Sequence, residues 1–267
     1  MVRLHKIGNS SVPDGPSTPA PSHAYPALPD PDVAAKVGPE DPANLDLDYA
    51  LRRKDPNMGN LPDGSWEGKN GQHLTPTDNA DVQQFAADSI RAADNVTPRL
   101  EETVTRADPD AVLVGLEDRV KFPDSLKGKV STMMLGDGLT AEEALTKIND
   151  SLRYTVQVPS GSYSSVVDSV VSDMKTQGLE LVRFKNTWGF DGYKGINTTW
   201  RDPGTGKLFE LQFHTPESFY TKTVSHEIYE RLRLPGLTPE EADLLEMENT
   251  EIFQDLEVPD GAREIEH

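Results

Sequence analysis

Three clusters of side chains in this sequence carry more chemistry than a solvated surface requires. The first is Arg119-Val120-Lys121-Phe122-Pro123-Asp124-Ser125-Leu126-Lys127-Gly128-Lys129, four cations against one aspartate. It falls between an apolar segment readable as a short strand, 111–116, and a helix over 126–135. Ser125 is the expected N-cap of that helix, which would set free backbone N–H groups and the positive end of the helix dipole beside the cations. Such an arrangement suits a polyphosphate. A solvated basic patch is the commoner meaning of a short charge run, but this one stands in a chain of net charge −19.

The second cluster is acidic. Asp150 stands at the mouth of the alternating segment 151–158, and Glu210 lies inside the segment 207–214. Period two puts Glu210, Gln212 and His214 on one face and Phe209, Leu211 and Phe213 on the other. Read alone, that ladder is the wet face of a sheet. If Asp150 and Glu210 converge near the cationic run, they could hold Mg²⁺, a hard cation that takes oxygens from one or two carboxylates and from substrate phosphates. The third cluster is Arg183-Phe184-Lys185-Asn186-Thr187-Trp188 followed by Gly192-Tyr193-Lys194-Gly195-Ile196-Asn197. Cations and aromatics alternating beside glycines can stack a base and grip its phosphates, or simply form a loop entering a strand. Two lookalikes fail. Gly204-Thr205-Gly206-Lys207 lacks both the leading glycine and the Ser/Thr of a phosphate loop, and His226-Glu227 lacks the second histidine of a zinc-protease helix.

The elements that must position these clusters follow from periodicity. Helical spacing starts at Thr77 and resumes as a second helix after Pro98; Thr140-Ala141-Glu142-Glu143 is a capping box; Val166, Val167, Val170, Val171 and Met174 mark a helix stopped at Gly178. Residues 179–185, 195–201 and 207–214 read as strands, the last two joined by a hairpin at Asp202-Pro203-Gly204. Helices follow over 216–233 and from the cap at Thr238. The expected fold is α/β (α+β), a mixed sheet of about five strands flanked by helices, over residues 77–267. Residues 1–76 hold twelve of the 21 prolines and no lasting period, so they are expected to form an irregular arm laid on the body by Tyr25, Leu28 and Trp66.

Composition narrows the classes further. Lys+Arg 26 against Asp+Glu 45 argues against binding a nucleic acid polymer. No apolar run approaches the roughly 18 residues of a membrane span. Without cysteine there is no disulfide, thiolate catalysis or Cys-ligated zinc. The acidic balance fits a secreted protein, with the cytoplasm as the alternative, although no basic n-region and apolar stretch follows Met1.

Taken in order, the clusters resemble the synthetase domain of the RelA/SpoT family of alarmone synthetases. The matching pieces are Arg119-x-Lys121 with Ser125 and Lys129; Asp150 before a strand; Arg183-Phe184-Lys185-Asn186; Gly192-Tyr193-Lys194-Gly195-Ile196-Asn197; and Phe209-Glu210-Leu211-Gln212-Phe213-His214-Thr215. The helix with His226 and Tyr229 is similar to the family's closing helix, and the likeness spans roughly residues 80–235. Asn197 stands where the family's motif ends in histidine, His214 where it has arginine, and neither Tyr163 nor Ser164 is the family's second adenine-flanking arginine.

The resemblance implies a small, synthetase-only form with a nucleotidyltransferase-like fold, most similar to the exported nucleotide 3'-pyrophosphokinases of actinomycetes. ATP would donate its β,γ-pyrophosphoryl group to the 3'-hydroxyl of a purine nucleotide, giving pppApp, ppApp or (p)ppGpp-type products and AMP. It further implies that Arg119 stacks on adenine and that Lys121, Ser125, Lys127 and Lys129 hold the triphosphate. Asp150 and Glu210 would bind Mg²⁺, with Glu210 also the general base. Tyr193 would stack on the acceptor base, and Lys185, Lys194, Asn197, Gln212 and His214 would face the acceptor. An inactive nucleotide-binding module on this fold, or a nucleotidyltransferase, is the alternative.

Overall fold

The alternating segments of the sequence become the middle of one sheet, and two long helical segments cover its apolar side. A computed structural model of the chain describes residues 59–69, 71–232 and 237–267. Most of the expected arm, with Tyr25 and Leu28, lies outside the described residues. In chain order the elements are β1 (Trp66–Glu67), β2 (His73–Leu74), α1 (Pro76–Ala107), β3 (Val112–Val114), α2 (Pro123–Asp137), α3 (Ala141–Thr146), β4 (Arg153–Gln157), α4 (Tyr163–Thr176), β5 (Glu180–Asn186), β6 (Ile196–Arg201), β7 (Leu208–His214), α5 (Pro216–Leu232) and α6 (Pro239–Glu251). Five strands form a mixed sheet in the order β3-β4-β7-β6-β5. Only β4 and β7 pair in parallel; the other neighbours are antiparallel. The fold class is the expected α/β arrangement of a mixed sheet flanked by helices.

The apolar face of the sheet carries Leu152, Tyr154, Val156, Ile196, Trp200, Phe209, Leu211 and Phe213, all buried against α1 and α4. Burying such side chains stabilises each by roughly 1.5–3 kcal/mol. Register is therefore strongly fixed, because a one-residue slip would turn this set to water. Gly178, at φ 83°, ends the α4 turn and lets the chain reverse into β5.

Two helices expected on either side of Pro98 are one continuous helix, α1, of 32 residues. Proline removes one intrahelical donor and crowds the carbonyl a turn earlier. Pro98 is exposed, so the carbonyl it frees faces water, while Ala92, Ala93, Val96 and Leu100 on the opposite stripe anchor both halves to the sheet. Packing thus outweighs the local break.

A second, smaller core lies beneath α2. Trp66, Leu74, Val82, Ala86, Leu126, Val130, Ala141, Ala144 and Ile148 are buried together. Trp66 Nε1 donates to Asp124 Oδ1 at 2.8 Å, and the β1–β2 hairpin is tied down by His73 N–H donating to Ser131 Oγ at 2.9 Å. The last part of the proline-rich segment is therefore integral to the base on which α2 rests. Trp66→Ala should cost about 3–5 kcal/mol, the usual range for emptying a buried aromatic site. Denaturant unfolding measures this, and a loss below about 1 kcal/mol would show that residues 59–75 are not part of the core.

Candidate active site

The opposite face of the sheet is polar, and its pairing gathers side chains that lie far apart in sequence. Arg153 pairs with Glu210, Glu210 with Thr199, and Thr199 with Arg183. One step along, Gln212 pairs with Asn197, and Asn197 with Lys185. These side chains line up across four strands on one surface. A cleft of about 130 Å³ opens there, lined by Asn149, Arg183, Lys185, Asn197, Thr198, Thr199 and Glu210. Within this lining Glu210 is the one carboxylate, opposite two cations. Gln212 Nε2 donates to Glu210 Oε1, and Lys222 Nζ, from α5, donates to Gln212 Oε1 at 2.5 Å. Burial, then the nearby Arg153 charge, pulls the Lys222 pKa down to about 7, against the opposing pull of Glu210.

At the same end of the sheet lies the cationic run. The chain segment after β3 rejoins the sheet edge through a Val120–Leu152 bridge, with Lys121 N–H donating to Ser151 O and Arg153 N–H donating to Arg119 O. This carries Lys121 to the start of β4, where its Nζ donates to Asp150 Oδ2 at 3.0 Å. Lys129, one α2 turn from Ser125, donates to Asp150 Oδ1 at 2.8 Å. Burial alone would raise the Asp150 pKa, but the two ammonium groups outweigh it and hold the carboxyl down at about 2. Glu210 N–H donates to Leu152 O at 2.9 Å, two residues on from Asp150. Asp150 and Glu210 therefore stand at the same end of neighbouring strands, the first as counter-ion to two lysines, the second facing the cleft.

The third cluster closes a buried network. Gly195 lies where a Cβ would come 2.8 Å from His214 Cε1, so only glycine lets the loop approach. Tyr193 Oη consequently reaches both Asn197 Oδ1 and His214 Nε2 at 2.8 Å, donating to Asn197 and leaving His214 Nε2–H to donate to it. His214 Nδ1 then accepts from Ser218 Oγ at 2.9 Å. Burial and the Lys222 charge hold His214 well below the ordinary histidine range, so it is neutral. Burial, reinforced by the Glu210 charge, raises the Tyr193 hydroxyl pKa. The Tyr193 ring meets Phe253, from the segment after α6, edge-on at 6.0 Å.

The expected site residues take the following positions. Lys127 is not in the cationic pocket: it points to the other side of α2, is 1% exposed, and donates to Asn60 Oδ1 at 2.7 Å. Residues two apart on a helix face nearly opposite ways, which the density of cations in the run obscures. Ser125 is not the N-cap, because Pro123 takes the first helical position and Phe122 the cap. Ser125 stays exposed in the first turn. His214 is fully buried and neutral, so it faces no phosphate and instead holds Tyr193. Lys194 is folded back on the Phe190 carbonyl. Arg119 Nη1 donates to Leu116 O at 2.7 Å while its buried Nε has no partner. The structure adds Arg183, Arg153, Thr199, Asn149 and Lys222 to the expected site residues. Arg153 is legible from alternation, whereas Thr199 and Lys222 require the strand register and the path of α5.

The sequence matches no protein-family profile and no curated protein. Among solved structures the overall trace is similar to small alarmone synthetases and related proteins. Small alarmone synthetase 1 from Bacillus subtilis is 16% identical at a TM-score of 0.46, over 64% of this chain and 89% of that chain. The protein smu.1046c from Streptococcus mutans is 16% identical at 0.47, over 64% and 90%. A GTP pyrophosphokinase family protein from Streptococcus pneumoniae is 16% identical at 0.43, over 66% and 89%. At that identity and score the likeness assigns neither residue nor activity, which rest on the site's own geometry.

Two outcomes test this geometry. Asp150 has a folded pKa below its unfolded value of 3.8, so its contribution is present above about pH 4 and is lost as pH falls toward 2. A tenfold change in proton affinity corresponds to about 1.4 kcal/mol, so Asp150→Asn should cost about 2 kcal/mol at about pH 6 and almost nothing at about pH 2. Paired urea titrations at the two pH values measure this difference; a gap that persists unchanged in acid contradicts the ion-pair account. Lys127→Met should leave stability within about 1 kcal/mol, since a shape-matched apolar residue replaces a buried cation with little loss. It should also leave nucleotide affinity unchanged by equilibrium dialysis, and a large loss of affinity would return Lys127 to the site.

Proposed function

We propose that this protein is a nucleotide 3'-pyrophosphokinase, transferring the β,γ-pyrophosphoryl group of ATP to the 3'-hydroxyl of a purine nucleotide and releasing AMP. The observation that carries the reading is Glu210, a carboxylate set among Arg183, Lys185 and Asn197 at the same end of the sheet as the Lys121–Asp150–Lys129 cluster. The ordered motif resemblance supports it independently. In this scheme Lys121 and Lys129 grip the triphosphate, with Ser125 and the free N–H groups of the first α2 turn beside it. Arg119 packs on the donor base. Arg183 and Lys185 neutralise phosphate charge across the cleft, and Tyr193, held by Asn197 and His214, offers a fixed aromatic surface to the acceptor base.

Glu210 takes the proton of the acceptor 3'-hydroxyl as that oxygen attacks the β-phosphorus. The bond from the β-phosphorus to the oxygen it shares with the α-phosphate breaks, and AMP leaves with that oxygen. A carboxylate beside the attacking oxygen is a competent base, and most of the remaining acceleration is positioning and charge neutralisation.

Mg²⁺ fits this donor set. Glu210 and Asp150 would supply carboxylate oxygens of the kind the ion prefers, with phosphate oxygens as its other ligands. The ion would draw charge off the phosphoryl oxygens in the transition state. For Asp150 to join it, Lys121 and Lys129 must turn to the triphosphate. The acidic, cysteine-free composition supports a site of action outside the cell.

The second reading, a nucleotide-binding module without catalysis, is favoured by one observation: both Asp150 oxygens are already engaged by lysines. Incubation with ATP, Mg²⁺ and each of ATP, ADP, GTP and GDP as acceptor, followed by mass spectrometry, separates them. AMP with a 3'-pyrophosphorylated product is expected. Binding without AMP supports the module, and pyrophosphate without AMP supports a nucleotidyltransferase. Glu210→Gln should lower the rate about a hundredfold or more, as loss of a general base does; a rate near wild type removes Glu210 from the mechanism.

A further inference from the structure

The relay behind Glu210 has a direction imposed from outside the strand. A glutamine amide has two ends of similar shape and opposite polarity, and nothing in β7 itself decides which end meets Glu210. Lys222 decides it. Its amino group, which donates in either protonation state and can only donate when charged, sits 2.5 Å from Gln212 Oε1, so the carbonyl end of Gln212 faces Lys222 and the NH₂ end is turned to Glu210 Oε1. Gln212 is only 5% exposed, which removes water as a substitute partner for either end.

The lysine is well held for this task. It projects from α5, the helix that leaves β7, and its stem is half-buried with the ammonium 5.4 Å from the centre of the Phe219 ring. The charged groups around it are Arg153 on β4 and Glu210 on β7, with neutral His214 beside it. None of these contacts the ammonium as closely as the Gln212 carbonyl. Phosphate binding, the usual work of a lysine at such a site, does not suit a side chain already committed to a buried amide.

We propose that Lys222 is a positioning residue that fixes the Gln212 amide and, through it, the orientation of the Glu210 carboxylate. With the NH₂ end on Oε1, one carboxylate oxygen is occupied and the other is left for the cleft. Without Lys222, the amide can reverse and bring its oxygen against Glu210, which drives the carboxylate away. The catalytic part of this inference rests on the proposed role of Glu210; the positioning part does not.

The experiment is a cycle of K222M, Q212A and the double variant in the full chain, each checked for wild-type thermal unfolding. Methionine keeps the buried stem and removes the donor. Misplacing a reacting group by about 1 Å costs up to about a hundredfold. K222M should therefore lower kcat about tenfold to a hundredfold with KM for ATP within about twofold, and K222R should recover part of the loss. In the Q212A background K222M should add almost nothing, because it acts through Gln212. Independent effects in the cycle, or a KM change alone, overturn the proposal. A readout besides activity is the side-chain amide ¹⁵N–¹H pair of Gln212, assigned by its loss in Q212A. It should be shifted and slow to exchange in the wild type and move toward free-glutamine values in K222M. If the wild type releases no AMP but this signal depends on Lys222, the positioning stands and the pyrophosphokinase reading falls. If the signal ignores Lys222, the positioning falls whatever the activity.

Discussion

Everything at the cleft depends on the register of β7. Its Phe209, Leu211 and Phe213 are locked into the core, so Glu210, Gln212 and His214 have no choice but to face the other way. The parallel pairing with β4 and the antiparallel pairing with β6 then decide which residues stand beside them. The hydrophobic effect thus does the positioning for a polar surface it never touches. Rigid strands place side chains more accurately than loops do, and Glu210 sits on one.

The same face carries two kinds of charge arrangement that ask different things of the fold. At the Asp150 end, a carboxylate is saturated by two lysines with flexible stems, and the cluster is partly open to water. Partly exposed ammonium groups of this kind can change partner with little loss. At the Gln212 end there are two separate runs of hydrogen bonds, Lys222–Gln212–Glu210 and Asn197–Tyr193–His214–Ser218, each with buried members in Gln212 or in His214 and Ser218. Buried polar networks rigidify when every member is satisfied and penalise any that is not. One end is suited to exchange, the other to permanence.

Much of this is legible in the sequence because it follows from period and punctuation. Alternation marks β4 and β7, the hairpin at Asp202 joins β6 to β7, the capping box at Thr140 forms as read, and the cap at Thr238 is a capping box as well. What escapes has physical causes. Pro98 reads locally as a break, but its exposure lets the helix pass through it. Lys127 belongs to a cationic run in the chain and to a different face in space. His214 looks like a phosphate ligand on a polar face until the Gly195 loop is seen to cover it. Lys222 carries no local signal at all, since its role depends on where α5 turns after β7.

The charge balance of the chain gives the Asp150 cluster its meaning. In a protein of net charge −19, two lysines beside each other must be held by something, and in the free protein Asp150 does this. A triphosphate is a denser anion than one carboxylate, so in the proposed reaction it competes successfully for both ammonium groups. Asp150 would then lose its partners, leaving burial and the nearby phosphate charge to penalise its ionised form. An ionised carboxylate, newly without a counter-ion and close to phosphate oxygens, is the state a divalent cation stabilises. In that proposal the lysine pair would delay a metal site rather than block it, and donor binding and metal binding would be coupled on the same few side chains.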